Sequence, residues 1–275
     1  MLGSIARIAR ANVLGVGIHA VDMDTAVAVI ESSVRSGKKG YVCVAGVHGV
    51  MEAQRDRRLA SIFSNALLVV PDGMPTVWVG RWQGLSKMQR VFGPDLMLRI
   101  LHRTAVNGFS HFFCGGDYGV AEQLRCNLQS QFPDAQIVGS YRPPFRKLTS
   151  REETELLRIT EHLRPDITWV GLSTPKQEQF MAEYLPRMNT RLMIGVGAAF
   201  DYHTGRLKDS SQWIKQAGLQ WLHRLAQDPA RLWKRYLRNN PEFIALLALQ
   251  LSGVKKYPLP VVADQAATSD FLIGA

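Results

Sequence analysis

The chain has 275 residues, 46% hydrophobic and 20% charged, which is globular composition with enough apolar material for one large domain or one domain plus an appendage. No run of about 18 apolar residues occurs, which argues against a spanning helix, and the opening MLGSIARIARANVLG lacks the long apolar core of a signal peptide. The formal net charge of +10 asks for an anionic partner.

Short apolar runs alternate with amphipathic stretches along most of the chain. A strand is predicted at Val13–Val16, then a helix over Asp24–Val34. Asp22-Met23-Asp24 has the Asp-x-Asp form of some metal sites, but its place at a helix start favours Asp24 as an N-cap. Tyr41–Val44 reads as a strand, His48–Asn65 as one helix, Leu67–Val70 as a strand and Gly93–Ala105 as a helix. Strands follow at His111–Phe113, Ile137–Val138, Ile167–Gly171 and Leu192–Val196, with helices over Tyr118–Phe132, Ser150–Leu163 and Pro175–Met188 between them. Ser150 and Glu153 have capping-box spacing. Cys43 and Cys114 lie in apolar runs and read as buried thiols; with Cys126 they show no metal-ligand spacing, and the cytoplasm is the expected compartment. Strand–helix alternation predicts an α/β fold, a Rossmann-like, mainly parallel sheet with helices on both faces, over residues 1–205.

Beyond residue 205 helical patterns follow one another: Ser211–Arg224, Pro229–Arg238, and a separate helix from Asn240-Pro241 to Ser252-Gly253. The apolar run Phe243–Leu251 is too short to span a bilayer and reads equally as buried or interfacial. Residues 206–260 form a basic helical appendage, and 261–275 a frayed tail. Residues 201–260 carry ten Lys/Arg against four Asp/Glu. Nucleic acid, a membrane surface and a diphosphate ligand each account for that excess; the absence of a DNA-binding motif disfavours the first.

Ligands of open α/β sheets bind at the carboxyl ends of the strands. Pro71-Asp72-Gly73-Met74-Pro75 places Asp72 there, as a general base or as an Asx-turn aspartate. Arg90, in RVFGPD, either holds a phosphate through its fork or makes a surface ion pair. Gly115 and Gly116 in CGGDYG admit an anion at a helix N-terminus or serve packing. Gly171-Leu172-Ser173-Thr174-Pro175-Lys176-Gln177-Glu178 brings hydroxyls and a polar first turn to the same edge, and the small residues of GVGAAFDY lead into Asp201 and Tyr202. GxSxG and HExxH are absent.

Taken together, PDGMP (71–75), RVFGPDL (90–96), GLSTPKQE (171–178), GVGAAFDYHTG (195–205) and GLQWLHRLAQDPARLWKRYL (218–237) resemble, in order, the WecG/TagA/CpsF family of bacterial glycosyltransferases. PPFR (143–146), GPDLM (93–97) and AAFDYH (198–203) look closest to its exopolysaccharide, xanthan-type branch. The resemblance implies inverting transfer of a hexosyl group from a UDP-sugar to a glycan on undecaprenyl diphosphate. No cofactor and no bound metal are implied, and the enzyme is expected to be peripheral on the inner face of the cell membrane. By the same resemblance Asp72 is the general base, Arg90 lies near the donor diphosphate and Gln177 lines the pocket. Arg224, Arg231 and Arg235 belong to an arginine-rich segment that closes over the site. His48, Gly73, Asp95, Gly115, Gly116, Pro175, Lys176 and Asp201 complete the expected substrate contacts. Expected partners are the donor, the lipid-linked acceptor and an anionic membrane surface, with no nucleic acid and with room for a homo-oligomer. Where teichoic-acid-type members carry Thr-x-Asn, this chain reads Val44-Ala45-Gly46; His48 either replaces those polar groups or is bonded to backbone at a helix start. A rival reading is a nucleotide-sugar-binding or basic interaction module without catalysis.

Overall fold

The computed structural model describes residues 8–144 and 146–260; the expected tail at 261–275 and Phe145 of the PPFR segment lie outside them. The chain opens with an antiparallel hairpin, β1 (Arg10–Val13) and β2 (Val16–His19). The predicted strand Val13–Val16 is therefore the bend of this hairpin. Leu14 and Gly15 take φ of 51° and 80°, the left-handed pair that a two-residue turn requires, and the Asn12 side chain accepts from Gly15 N at 2.8 Å.

The elements that follow are α1 (Met23–Arg35), β3 (Gly40–Ala45), α2 (Val47–Arg55), α3 (Arg57–Asn65), β4 (Leu68–Pro71), α4 (Met74–Trp82), α5 (Gly93–Ala105), β5 (Ser110–Gly115), α6 (Val120–Gln131) and β6 (Gln136–Tyr141). Next come α7 (Ser150–Leu163), β7 (Ile167–Gly171), α8 (Lys176–Tyr184), β8 (Leu192–Gly195), α9 (Ala199–His203), α10 (Gln212–Gln216), α11 (Gln220–Gln227) and α12 (Pro229–Leu251). Strands β3 to β8 form one parallel sheet in the order β4-β3-β8-β7-β5-β6. Alternate side chains of each strand enter two cores. Cys43, Val69, Cys114, Val170 and Met193 meet α2, α3, α8 and the hairpin on one face, while Val42, Val70, Phe113, Trp169 and Ile194 meet α1, α5, α6 and α9 on the other. The α/β class, the parallel sheet and the buried Cys43 and Cys114 are as the sequence predicts.

Several boundaries differ, each for a local reason. Asp22, not Asp24, caps α1, accepting from Thr25 N at 2.8 Å. The predicted helix His48–Asn65 breaks at Asp56, which turns extended and caps α3 through Arg58 N. The capping box at α7 uses Thr149 and Glu152, one residue earlier than Ser150 and Glu153. Helix α4 starts inside the PDGMP segment, with Pro75 in its first turn, and lacks a polar face long enough to signal it by periodicity. Ser211–Arg224 is two helices separated at Gly218, where φ is 70°.

Helix α12 runs unbroken through Pro241, where a start was expected. Proline inside a helix costs about 3 kcal/mol. Here the missing N–H falls among exposed residues, Leu237 and Pro241, while Leu232, Asn239, Phe243 and Leu247 are buried on either side and hold the helix to the core.

One buried histidine gives this core a pH signature. Trp169 Nε1 donates to Nδ1 of His111 at 3.1 Å, so the proton of the neutral ring lies on Nε2, directed at Thr104 Oγ1 at 2.8 Å. Burial lowers its pKa from 6.5 to about 4. The unfolded chain therefore takes up this proton first, and the contribution of neutral His111 is complete above pH 6.5 and declines as pH falls toward 4. Chemical denaturation across that window is expected to show a His111→Gln slope shallower than wild type by up to about 1.4 kcal/mol per pH unit. Equal slopes would mean that burial does not hold the His111 pKa below its unfolded value.

Candidate active site

A cleft of about 670 Å³ opens at the carboxyl ends of β3, β4, β7 and β8, between α4 on one side and α10 to α12 on the other. Asp72 lies at its floor. The parallel register sets Pro71 beside Ala45, and Asp72 N donates to Ala45 O at 3.0 Å, fixing the residue just past the sheet edge. Its carbonyl accepts from Arg90 Nε, and Gly93 N, at the start of α5, donates to its carboxylate. Gly93 is needed for that approach, since a Cβ there would sit 3.3 Å from Val196 O. Carboxylate oxygen Oδ1 is buried and has no partner among the described residues. Burial pushes the carboxyl above its ordinary pKa, and Arg90 and Arg224 pull it part of the way back.

Arg90 lies over the Phe92 ring at 4.2 Å, and its second arm reaches Gln220 of α11. It thus ties the Asp72 loop to the helices above while lining the cleft. Gln177 lines the wall with its Oε1 unpartnered. Tyr202 packs edge-on to Phe92 at 5.4 Å and presents a buried, unpartnered hydroxyl that burial pushes up to about 12, so it is a donor at neutral pH. From above, Arg224 and Arg235 enter the cleft, each with a buried, unpartnered Nε, and neither is paired with a carboxylate among the described residues. A cleft floored by a carboxylate and roofed by unpaired guanidinium groups fits a ligand with a hydroxyl at one end and an anion at the other.

His48 also lines the cleft, but its ring is spent on the protein. Nδ1 accepts from Asn239 Nδ2 at 2.9 Å, and Nε2 faces Thr174 O at 3.3 Å. Burial, with Arg235 nearby, lowers its pKa to about 4, so it is neutral. Of its two sequence readings, the backbone-bonded one describes this geometry. Gly73 caps α4 and lines the floor.

The remaining expected contacts lie outside the lining. Asp95 is exposed on α5. Gly115 and Gly116 press β5 and its loop against neighbours: a Cβ on Gly115 would fall 2.6 Å from Gly171 O, and one on Gly116 3.0 Å from Val120. Pro175 and Lys176 flank the cleft at the start of α8, and Lys176 is exposed. Asp201 is half-buried below α12, within the field of Arg231, and Arg231 itself pairs with Asp228, the N-cap of α12. Conversely, Trp221 and Tyr236, which by composition suit a membrane interface, meet at 5.6 Å inside the cleft. Trp78, Tyr202 and Asn239 are lining residues that sequence reasoning did not assign; only Tyr202 lay within a recognised motif.

A model of the glycosyl transferase WecG/TagA/CpsF family matches residues 11–257. The chain is 26% identical over 246 residues to N-acetylglucosaminyldiphosphoundecaprenol N-acetyl-beta-D-mannosaminyltransferase of Bacillus spizizenii W23, covering 89% of this chain and 93% of the relative. It is 28% identical over 210 residues to the protein of the same name from Bacillus subtilis 168, covering 76% of this chain and 79% of the relative.

The geometry separates the three arginines of the C-terminal segment. Titration calorimetry with inorganic pyrophosphate is expected to show binding weakened about tenfold or more by Arg224→Gln or Arg235→Gln, the usual scale of a charged hydrogen bond. Arg231→Gln, already satisfied by Asp228, should leave it within about twofold. Equal losses for all three would remove the distinction.

Proposed function

The chain belongs to the WecG/TagA/CpsF glycosyl transferase family, and we propose that it moves a hexosyl group, with inversion, from a UDP-sugar to a saccharide carried on undecaprenyl diphosphate. The product would serve exopolysaccharide or cell-surface polysaccharide synthesis. One observation carries this reading: Asp72, Gln177, Tyr202, Arg224 and Arg235 line one cleft, and each carries a buried polar atom that has no partner among the described residues.

The chemistry follows from that arrangement. The acceptor hydroxyl gives its proton to the Asp72 carboxylate as its oxygen bonds to the anomeric carbon. The bond from that carbon to the diphosphate oxygen breaks, and UDP leaves with the electron pair. A carboxylate raised by burial is a better base than one in water. The charge growing on the diphosphate is met by the guanidinium groups of Arg224 and Arg235, which lie in the cleft before reaction and need no reorganisation. Arg90 keeps Asp72 and α11 in register. The acceptor's carrier explains the apolar end of the same cleft, where Met74, Trp78, Trp82, Ile244, Ala248 and Leu251 offer a surface for an isoprenoid chain.

A lipid-linked acceptor requires the enzyme to work at a bilayer, yet no helix among the described residues is long and apolar enough to cross one. Helix α12 carries a second apolar stripe beside its buried one: Trp233, Leu237, Ile244 and Leu251 recur at helical spacing and are exposed at 47%, 66%, 67% and 50%. Lys234, Arg238, Lys255 and Lys256 are exposed beside it. Each is worth about 1 kcal/mol near anionic lipid. We read this face as the surface that docks, peripherally, on the inner leaflet.

Two measurements test the reading. Asp72→Asn keeps the shape but cannot accept the proton; turnover is expected to fall about 10²–10⁴-fold with donor affinity nearly unchanged. Transfer within about threefold of wild type would exclude Asp72 as the base. Separately, Leu237→Asp with Ile244→Asp should abolish co-sedimentation with phosphatidylglycerol vesicles without lowering Tm, because both side chains are exposed. Undiminished sedimentation would place the docking surface elsewhere.

A further inference from the structure

Gln177 and Glu178 are consecutive on the first turn of α8 and are 2% and 0% exposed. Gln177 Nε2 donates to Glu178 Oε1 at 2.9 Å, and Thr174 Oγ1 donates to the same oxygen at 3.0 Å. The backbone makes room for this arrangement. A Cβ on Gly195 would come within 3.1 Å of Gln177 Nε2, and one on Gly197 within 3.6 Å of its Oε1. The small position at Gly195 thus lets the amide lie across the end of β8 in the cleft wall, with Oε1 left without a partner among the described residues.

A primary amide has one accepting end and one donating end. If Gln177 were turned over, its oxygen would face the Glu178 oxygen that already accepts from Thr174, two acceptors in contact in a buried site. We infer that Glu178 is a positioning residue: it fixes the Gln177 amide so that the cleft meets only its oxygen, which selects a hydrogen-donating group, a hydroxyl or an amide N–H, on the sugar bound beside Asp72. This rests on the glycosyl-transfer reading for the identity of the ligand, but the orientation of the amide does not. Burial raises the Glu178 pKa, and the bonds from Gln177 and Thr174 oppose that rise. With the carboxyl ionised, or protonated on Oε2, Oε1 accepts from both donors and the orientation holds.

The experiment has two readouts. In the wild-type protein, nitrogen-resolved NMR should show the Gln177 side-chain amide protons protected from solvent exchange. That protection should vanish in Glu178→Ala and persist in Glu178→Gln, which retains an acceptor oxygen at the same place. For transfer, kcat/KM is expected to fall about tenfold in Glu178→Ala, the scale of one lost oriented hydrogen bond, and to stay within about twofold in Glu178→Gln. In a Gln177→Ala background, Glu178→Ala should cause no further loss, since its effect passes through Gln177. Unprotected Gln177 amide protons in the wild type, or losses that add in the double variant, would overturn the assignment. A wild-type protein with protected amide protons but no transfer from any UDP-sugar would instead overturn the functional reading and leave the positioning role standing.

Discussion

Everything above the sheet depends on one side chain, Asn239. Its amide donates to His48 Nδ1 at 2.9 Å, and its oxygen accepts from Arg55 at 2.8 Å, while Arg55 also holds Glu242 one turn further along α12. Asn239 is 2% exposed, so both bonds are shielded from water and worth correspondingly more than surface contacts. This clasp fixes the rotation of α12 on α2. With Asn239 turned inward, Phe243 and Leu247 enter the core, Arg235 and Tyr236 face the cleft, Ile244 lies exposed at its apolar end, and Leu237 faces outward. A rotation of α12 by one residue would remove the cleft's roof and bury the wrong stripe together.

The clasp also explains the electrostatics. His48 must be neutral for its Nδ1 to accept, and burial first, then the arginines gathered around it with Arg235 foremost, keep the proton off. Arg55 is balanced by Glu52 and Glu242. Arg224 and Arg235 have no such partner among the described residues, which leaves positive charge concentrated over an Asp72 that is itself incompletely satisfied. An anionic ligand bridging them replaces the missing partners. That is the arrangement expected of a site organised around charge that develops during reaction rather than around the resting protein.

The sheet and most helices were legible because they obey simple periods: apolar runs buried on both faces for β3, β4, β7 and β8, and a helical stripe for α5 and α7. What escaped was decided by single residues or by tertiary contact. The hairpin turned on Leu14 accepting a left-handed conformation, and the α2–α3 break on Asp56. α12 passes Pro241 because buried contacts on both sides outweigh one lost hydrogen bond. At the site, motif segments at strand ends placed Asp72, Arg90 and Gln177 in one cleft, because loop position follows from strand order. Sequence could not distinguish Arg235 from Arg231, since the difference is whether an aspartate three residues earlier, Asp228, is already in contact. Nor could it give the inward turn of Trp221 and Tyr236, whose amphipathic rings suit an interface and a sugar cleft equally well.

The departure at Val44-Ala45-Gly46 acquires a physical meaning in this setting. Val44 and Gly46 both line the cleft, and a Cβ at Gly46 would lie only 3.8 Å from Asp72 Oδ2. A hydroxyl or amide side chain at these two positions would sit beside the carboxylate, bonding to it or to the sugar. Here that corner offers a methyl-bearing wall and open space, and the polar groups without partners lie elsewhere in the cleft. There Gln177 supplies an acceptor and Tyr202 a donor, each unpartnered and each buried at the relevant atom. Asp72 is thereby left with no side-chain hydrogen bond to Oδ1 among the described residues. Small and apolar residues at positions 44 and 46 therefore leave the buried Asp72 carboxylate without donors from that corner, so its charge is balanced chiefly by Arg90 and Arg224.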